Sequence, residues 1–275
     1  MNFVSYEQLA KDIRAWLPRL PKYDLILAVP RSGIIPATSI ALARNLPTGD
    51  VHMGVTGSGP RIGDRVSNPV QRALVVDDSC LSGAAINQAK ELVKNFDFHC
   101  DFAAVYTSDK AKDQLDYYFK VLETPRVFEW NVFHHSILER SCLDIDGVLC
   151  PDPTRDENDD GPSYLGFVSQ TPGLFAPTTR VGSLVTNRLE KYRKQTEDWL
   201  GRMGVDYGEL IMHQAKSKAE RQAGPRVGHK AEVFSDSKWK LFIESDKFQS
   251  EEIHRLTGKP VLCVDTMEMI CSKML

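Results

Sequence analysis

Residues 72–83 read RALVVDDSCLSG, a stretch whose residue types and spacing can do chemistry. A run of apolar, partly β-branched residues at 73–76 ends in two adjacent carboxylates, Asp77 and Asp78, and a Ser/Gly turn leads into a helical pattern from Ala84. Neighbouring acids at a strand end can hold a pair of vicinal hydroxyls or a hydrated Mg²⁺. The turn behind them aims backbone N–H groups at the space a phosphate would fill, with the positive end of a helix beneath it. A diol beside a phosphate is the pattern of a ribose 5-phosphate.

A second constellation begins at residues 141–150, SCLDIDGVLC, a strand ending in Asp144-x-Asp146-Gly147. Three further pieces follow it in order. Thr186 ends the strand-like run LVT, Lys230 stands just ahead of a helical stretch at 231–235, and Glu244 and Asp246 lie in LFIESD at the end of another strand-like run. Acids, a hydroxyl and a lysine on successive strand ends form a set suited to phosphoryl transfer, and oxygen ligands of this kind suit Mg²⁺.

The first stretch resembles the phosphoribosyl-pyrophosphate (PRPP) motif of type I phosphoribosyltransferases. The resemblance implies that Asp77 and Asp78 lie near the ribose hydroxyls and Mg²⁺, and that Ser79, Cys80, Leu81, Ser82, Gly83 and Ala84 form the 5-phosphate loop. Arg31, Ser32 and Gly33, in VPRSG, match the family's pyrophosphate loop. The Gly/Ser/Pro/Arg segment 54–69 stands where the family has a catalytic lid, with Arg61 and Arg65 as the cations that would neutralise leaving pyrophosphate. The family's usual DDxxxTG pattern is altered here, because Ser82 precedes Gly83. A hydroxyl is retained, but a close match to any one nucleobase subfamily is lost. Phe128-Glu129-Trp130 reads equally as a hood over an acceptor and as core packing.

The second constellation resembles haloacid dehalogenase (HAD) phosphatases. By that resemblance Asp144 is the nucleophile, Asp146 the acid and base, Thr186 a phosphoryl-oxygen ligand, and Lys230 the charge-offsetting lysine, with Lys238 as its rival. Asp144, Asp146, Glu244 and Asp246 would hold Mg²⁺. The family usually presents an aspartate where this chain has Glu244, which leaves open whether Glu244 or Asp246 touches the metal. The insert at 151–180 is short, which implies a small cap and a site open to a bulky substrate.

These residues need a scaffold that brings strand ends together. Residues 5–17 have helical periodicity, with Ser5 and Gln8 as a capping box. Strands are expected at 25–29, 72–76 and 102–106, alternating with helices at 34–44 and 84–94. After Ser136 come strands at 141–145, 181–185, 210–212, 240–243 and 261–264, with helices at 189–203, 231–235 and 251–256. The alternation predicts an α/β chain of two doubly wound parallel-sheet domains: residues 1–135 with a type I phosphoribosyltransferase fold, and 136–275 with a HAD-like Rossmannoid fold and a small cap.

The 275 residues suffice for two cores, and a net charge of −3 offers no basic surface for nucleic acid. No signal-peptide pattern and no spanning apolar run is present, so the chain reads as cytoplasmic. Six cysteines without C-x-x-C spacing argue against zinc and disulfides. Cys80 lies in the presumed phosphate loop, where backbone amides are what the chemistry needs, and reads as a packing residue.

A phosphatase fused to a nucleotide-making transferase would undo its product. The pairing makes sense if the product is a plain riboside, and it resembles the paired enzymes that install ribofuranose in bacterial polysaccharides. The expected function is transfer of 5-phosphoribose from PRPP to a glycan hydroxyl, then removal of the 5-phosphate. Expected partners are PRPP, a lipid-linked glycan, a peripheral membrane contact and a second copy of the chain; nucleic acid is not expected. Two alternatives stay open: a nucleobase or orotate salvage transferase with a fused nucleotidase, and a non-catalytic PRPP-sensing regulator.

Overall fold

The computed structural model describes residues 1–52, 69–225 and 227–272. The chain divides into two compact units, Met1–Trp130 and Asn131–Leu275.

In the first unit the strands are β1 (Asn2–Val4), β2 (Leu25–Ala28), β3 (Thr48–Asp50), β4 (Arg72–Cys80), β5 (His99–Thr107), β6 (Tyr117–Val121) and β7 (Arg126–Phe128). Five of them form a sheet in the order β3-β2-β4-β5-β6, every pair parallel, while β1 and β7 pair separately. Central strands of a parallel sheet are covered on both faces, which is why β2 and most of β4 are unbroken buried runs. One face carries Ile26, Leu74, Val76 and Val105 against helices Tyr6–Trp16 and Ile34–Arg44; the other carries Leu27, Val75 and Ala104 against helix Ala84–Val93. That alternation makes the sheet doubly wound.

Helix Tyr6–Trp16 starts where expected, with the Ser5 side chain accepting from the Gln8 amide at 3.1 Å. Gln8 does not complete the capping box; its side chain donates to Asp12 Oδ1 instead. Strand β4 runs past the expected end at Val76 through both aspartates, because β5 is long enough to pair with it as far as Cys80↔Thr107.

In the second unit the strands are β8 (Ser141–Leu143), β9 (Val181–Leu189), β10 (Tyr207–His213), β11 (Leu241–Glu244), β12 (Val261–Cys263) and β13 (Glu268–Ile270). Their order is β10-β9-β8-β11-β12-β13, parallel except for the antiparallel edge pair β12–β13. Leu143 pairs with Ile243 on one side and Leu184 on the other, so the ends of β8, β9 and β11 meet at one sheet edge.

Three details that bear on the site differ from the sequence reading. β9 continues through Thr186 to Leu189, with a break in register: Val185 faces Ile211, and Leu189 faces His213. The intervening residues bulge, which re-aims their side chains. Lys230 lies inside helix Gly228–Ser235 rather than ahead of it. The polar insert holds helix Pro162–Gln170, which starts on a proline whose missing N–H costs nothing in the first turn. Among the described residues no helix is long and apolar enough to cross a membrane.

Candidate functional site

The first crevice lies where β2 and β4 end side by side, with Ala28 opposite Val76. Beyond β2 the chain turns through Pro30-Arg31-Ser32-Gly33, with a cis peptide between Pro30 and Arg31. Gly33 is set against the end of β4. A Cβ there would lie 2.7 Å from the Val76 carbonyl oxygen and 3.1 Å from Asp77 Cα, and would strike the Val29 carbonyl as well. These are backbone atoms that cannot move aside, so only glycine lets the 30–33 loop lie beside Asp77. Arg31 and Ser32 are carried on that loop, Arg31 exposed and Ser32 half-buried.

Asp77 and Asp78 are each 7 % exposed. Asp77 Oδ1 accepts the Asp78 amide at 2.8 Å, and Asp78 Oδ2 accepts the Trp130 indole N–H at 2.7 Å. Burial, reinforced by the charge of Asp78, pushes the Asp77 carboxyl up to about 8. The buried Arg126 is a nearby cation, and burial lowers its pKa against the pull of Asp78.

Behind the acids, Gly83 has φ +84° and opens helix Ala84–Val93. A side chain there would collide with Gln114, whose Nε2 donates to the Ser82 carbonyl at 3.2 Å. Ser108 Oγ donates to the Leu81 carbonyl at 2.8 Å, so the turn is braced from two sides. Leu81, Ser82 and Ala84 are exposed and Ser79 is half-buried. Cys80 is buried, and burial raises its thiol pKa, which fits packing rather than reactivity. Arg61 and Arg65 lie outside the described residues.

Phe128 is core, and Trp130 stacks on it at 5.0 Å while holding Asp78. No sequence signal links Trp130 to Asp78.

The second crevice opens at the shared edge of β8, β9 and β11. Asp144 follows β8, and its Oδ1 accepts the Ile145 amide at 2.7 Å. Lys230, wholly buried, places Nζ 2.6 Å from Asp144 Oδ2, 2.6 Å from Glu244 Oε2 and 3.0 Å from Gln249 Oε1. Burial opposes the ammonium charge, but the two carboxylates outweigh it and hold the Lys230 pKa above its ordinary value. Burial pushes Glu244 up to about 7; Lys230 opposes this, but one ammonium shared with Asp144 cannot neutralise both acids. Lys238, the expected rival, is on the surface beside Glu209.

Asp146 Oδ1 accepts from Arg188 Nε at 3.0 Å and Nη2 at 2.7 Å. Arg188 is fully buried beneath Trp199 and Phe167. Burial disfavours its charge, and Asp146 over-compensates, raising its pKa. The β9 bulge turns this arginine inward, and sequence reasoning missed it. Thr186 Oγ1, also fully buried, accepts the Arg188 amide at 3.2 Å. The Thr186 carbonyl receives His229 Nε2 at 3.0 Å, and burial lowers that imidazole to about 4, so it is neutral.

A cavity of about 480 Å³ sits over these groups. The insert supplies Asp152, Pro153, Asn158 and Tyr164 as walls. Burial and the charges of Asp146 and Asp144 push Asp152 up to about 6. The four carboxylates expected as a metal shell line one cavity but do not converge on one point. Arg188 draws Asp146 off, Asp246 caps helix Lys247–Thr257 through the Gln249 amide, and Lys230 fills the point on which Asp144 and Glu244 converge. Among the described residues no three Asp, Glu, His or Cys side chains are grouped to hold a metal ion.

No protein-family model matches the chain, and no curated protein matches it. Among solved structures, the purine phosphoribosyltransferase of Pyrococcus horikoshii is 26 % identical, over 47 % of this chain and 94 % of its own, with a TM-score of 0.37. The xanthine-guanine-hypoxanthine phosphoribosyltransferase of Helicobacter pylori is 20 % identical, over 48 % and 93 %, with a TM-score of 0.38. A chain of the Pnkp1/Rnl/Hen1 complex is 14 % identical over 95 % of this chain and 94 % of its own, with a TM-score of 0.32.

Proposed function

We propose that the chain is a two-site enzyme that transfers 5-phosphoribose from PRPP to an acceptor hydroxyl and then removes the 5-phosphate. The observation that carries this reading is the contact of Gly33 with the end of β4, which lays the 30–33 loop beside Asp77 and Asp78. Pyrophosphate on that loop, ribose hydroxyls on the two acids and the 5-phosphate on the turn 79–84 fit one crevice.

In the first step the bond from the anomeric carbon to pyrophosphate breaks, the acceptor oxygen bonds to that carbon, and the hydroxyl proton leaves to the departing pyrophosphate or to water. Charge grows positive on the sugar and negative on the leaving group, so no covalent nucleophile is required. Arg31 stands on the pyrophosphate side. Magnesium belongs here as the companion of the pyrophosphate, where it would neutralise departing charge. In the second step Asp144 attacks phosphorus and the ester oxygen departs with a proton from Asp146. Water, losing its proton to Asp146, then releases inorganic phosphate from Asp144. Lys230 fixes the nucleophile and Arg188 the acid, each at about 2.6–2.7 Å. The acceptor in this reading is a glycan. A second reading, a planar nucleobase acceptor, is favoured by the flat Trp130 ring beside Asp78.

The test uses the full chain, Mg²⁺, PRPP and a panel of glycans and nucleobases, with products read by mass. Ribosylated glycan is expected, with its 5-phosphorylated precursor accumulating in Asp144→Asn and no pyrophosphate released by Asp77→Ala/Asp78→Ala. Loss of transfer in the first variant, or full transfer in the second, would overturn the assignment of the sites. Products on a base alone would select the nucleobase reading.

A further inference from the structure

Three cations stand at the second crevice, and they differ in how many donors they have left. An ammonium has three N–H bonds, and Lys230 directs them at Asp144, Glu244 and Gln249. Arg188 gives Nε and Nη2 to Asp146, reaches Cys150 Sγ at 3.3 Å with Nη2, and reaches Thr196 Oγ1 at 3.5 Å with Nη1. Lys230 has no donor in hand for a substrate, and Arg188, fully buried, has one of its five left. Arg221 is different. It comes from helix Lys218–Ala223, lines the cavity, is half-buried, and is tethered by Nη1 to the Asn187 carbonyl at 2.8 Å. Among the described residues no carboxylate makes a salt bridge to it, although Asp144, Asp146, Asp152, Glu244 and Asp246 line the same cavity. Its remaining guanidinium donors suit an anion, and the surrounding acids would repel one that lacked such a partner.

Asn187 adds a second point. Lys230 can only donate, so Gln249 must present its oxygen to it; that oxygen also receives Asn187 Nδ2 at 3.1 Å. The network therefore fixes the Asn187 amide, and its Oδ1 is left buried without a donor among the described residues. Asn187 lines the cavity, and a buried acceptor left unpaired there carries a cost that a ligand hydroxyl would relieve.

We propose that Arg221 and Asn187 form the recognition edge of the second site. Arg221 takes a phosphate oxygen and Asn187 Oδ1 accepts from a hydroxyl of the leaving group, so the substrate class is a hydroxylated phosphomonoester, that is, a sugar phosphate. This rests on the phosphatase reading of the second unit. A cavity of about 480 Å³ accommodates such a ligand.

The experiment compares steady-state hydrolysis of ribose 5-phosphate and of phenyl phosphate, a dianion without sugar hydroxyls, by the full chain with Mg²⁺. Arg221→Ala should raise KM about tenfold or more for both esters, with most of the loss in KM, and Arg221→Lys should recover part of it. Asn187→Leu should erase the preference for ribose 5-phosphate. A KM within about twofold of wild type in a folded Arg221→Ala variant overturns the proposal. If the wild type hydrolyses neither ester, the phosphatase reading fails, and calorimetric binding of inorganic phosphate decides the recognition edge. Binding weakened about tenfold in Arg221→Ala supports it; equal binding, or none to the wild type, overturns it.

Discussion

Replacing Lys230 by methionine removes one charge and leaves two acids behind. The Lys230 side chain is 0 % exposed, as is that of Glu244, and Asp144 is nearly so at 6 %. At 2.6 Å and an effective dielectric of about 20, each contact is worth roughly 6 kcal/mol before desolvation is subtracted. Desolvation cancels much of that. Even so, removing one partner of a buried pair typically costs about 3–5 kcal/mol, because an uncompensated charge remains inside. We therefore expect Lys230→Met to lower the stability of the second unit by about that amount at neutral pH, measured without added metal.

Hydrogen exchange read by mass spectrometry suits the measurement, since it reports on the second unit separately. A loss of this size would speed exchange of its most protected amides by a factor of roughly 100 to several thousand. The pH dependence has a definite sign. Glu244 already holds its proton to about 7, and without Lys230 burial favours the protonated acid still more. The folded variant then keeps that proton above about 7, where the wild type releases it, so its deficit grows as pH rises past about 7. Adding Glu244→Gln to Lys230→Met should restore part of the loss. A cost under about 1 kcal/mol, or a deficit that widens on acidification, would refute the claim that Lys230 neutralises these acids.

Two further outcomes are expected from the first unit. Gly33→Ala must move backbone at Val29 or Val76, so it should displace the 30–33 loop, lower stability by about 1–3 kcal/mol in urea denaturation and weaken PRPP binding in calorimetry. Asp77 holds its proton to about 8 against an ordinary value near 4, so folding loses stability as pH rises across that window. Asp77→Asn has no such loss, and should gain about 1–3 kcal/mol on the wild type between pH 6 and 9; a constant difference would mean that Asp77 is already ionised at pH 6.

The sheet-edge residues were legible because a parallel sheet converts sequence order into position. Once strands are read at 141, 181 and 240, the pairings Leu143↔Ile243 and Leu143↔Leu184 bring Asp144, Thr186 and Glu244 to one edge. Arg188 was not legible, since an arginine two residues past Thr186 reads as solvated. Its burial coincides with a break in the β9–β10 register that the sequence does not mark. Gln249 and Trp130 were hidden for a related reason. Each acts through side-chain contacts, Gln249 to Lys230 and Asn187 and Trp130 to Asp78, that no period or motif encodes. Helix Pro162–Gln170 escaped because its sequence, PSYLGFVSQ, mixes Gly and Ser among the apolar residues and has no charge to mark an outer face.

The two acid pairs are built to opposite plans, and the difference bears on what each can receive. Asp144 and Asp146 are two residues apart; Arg188 pairs with Asp146 at 2.7 Å, and Lys230, 2.6 Å from Asp144, is shared with Glu244. Their charges are largely met from within, so an incoming dianion needs one further cationic contact, which Arg221 can supply. Asp77 and Asp78 are adjacent and equally buried, yet among the described residues no salt bridge reaches either. Their mutual repulsion is relieved by a proton on Asp77 and an indole N–H on Asp78. A proton held for want of a counter-charge is readily displaced by one, so this pair suits a ligand that brings its own cation and offers hydroxyls to the freed carboxylate. In the proposed reading that ligand is a magnesium-bound pyrophosphate ester of ribose, and the second crevice takes a phosphate beside cations already in place.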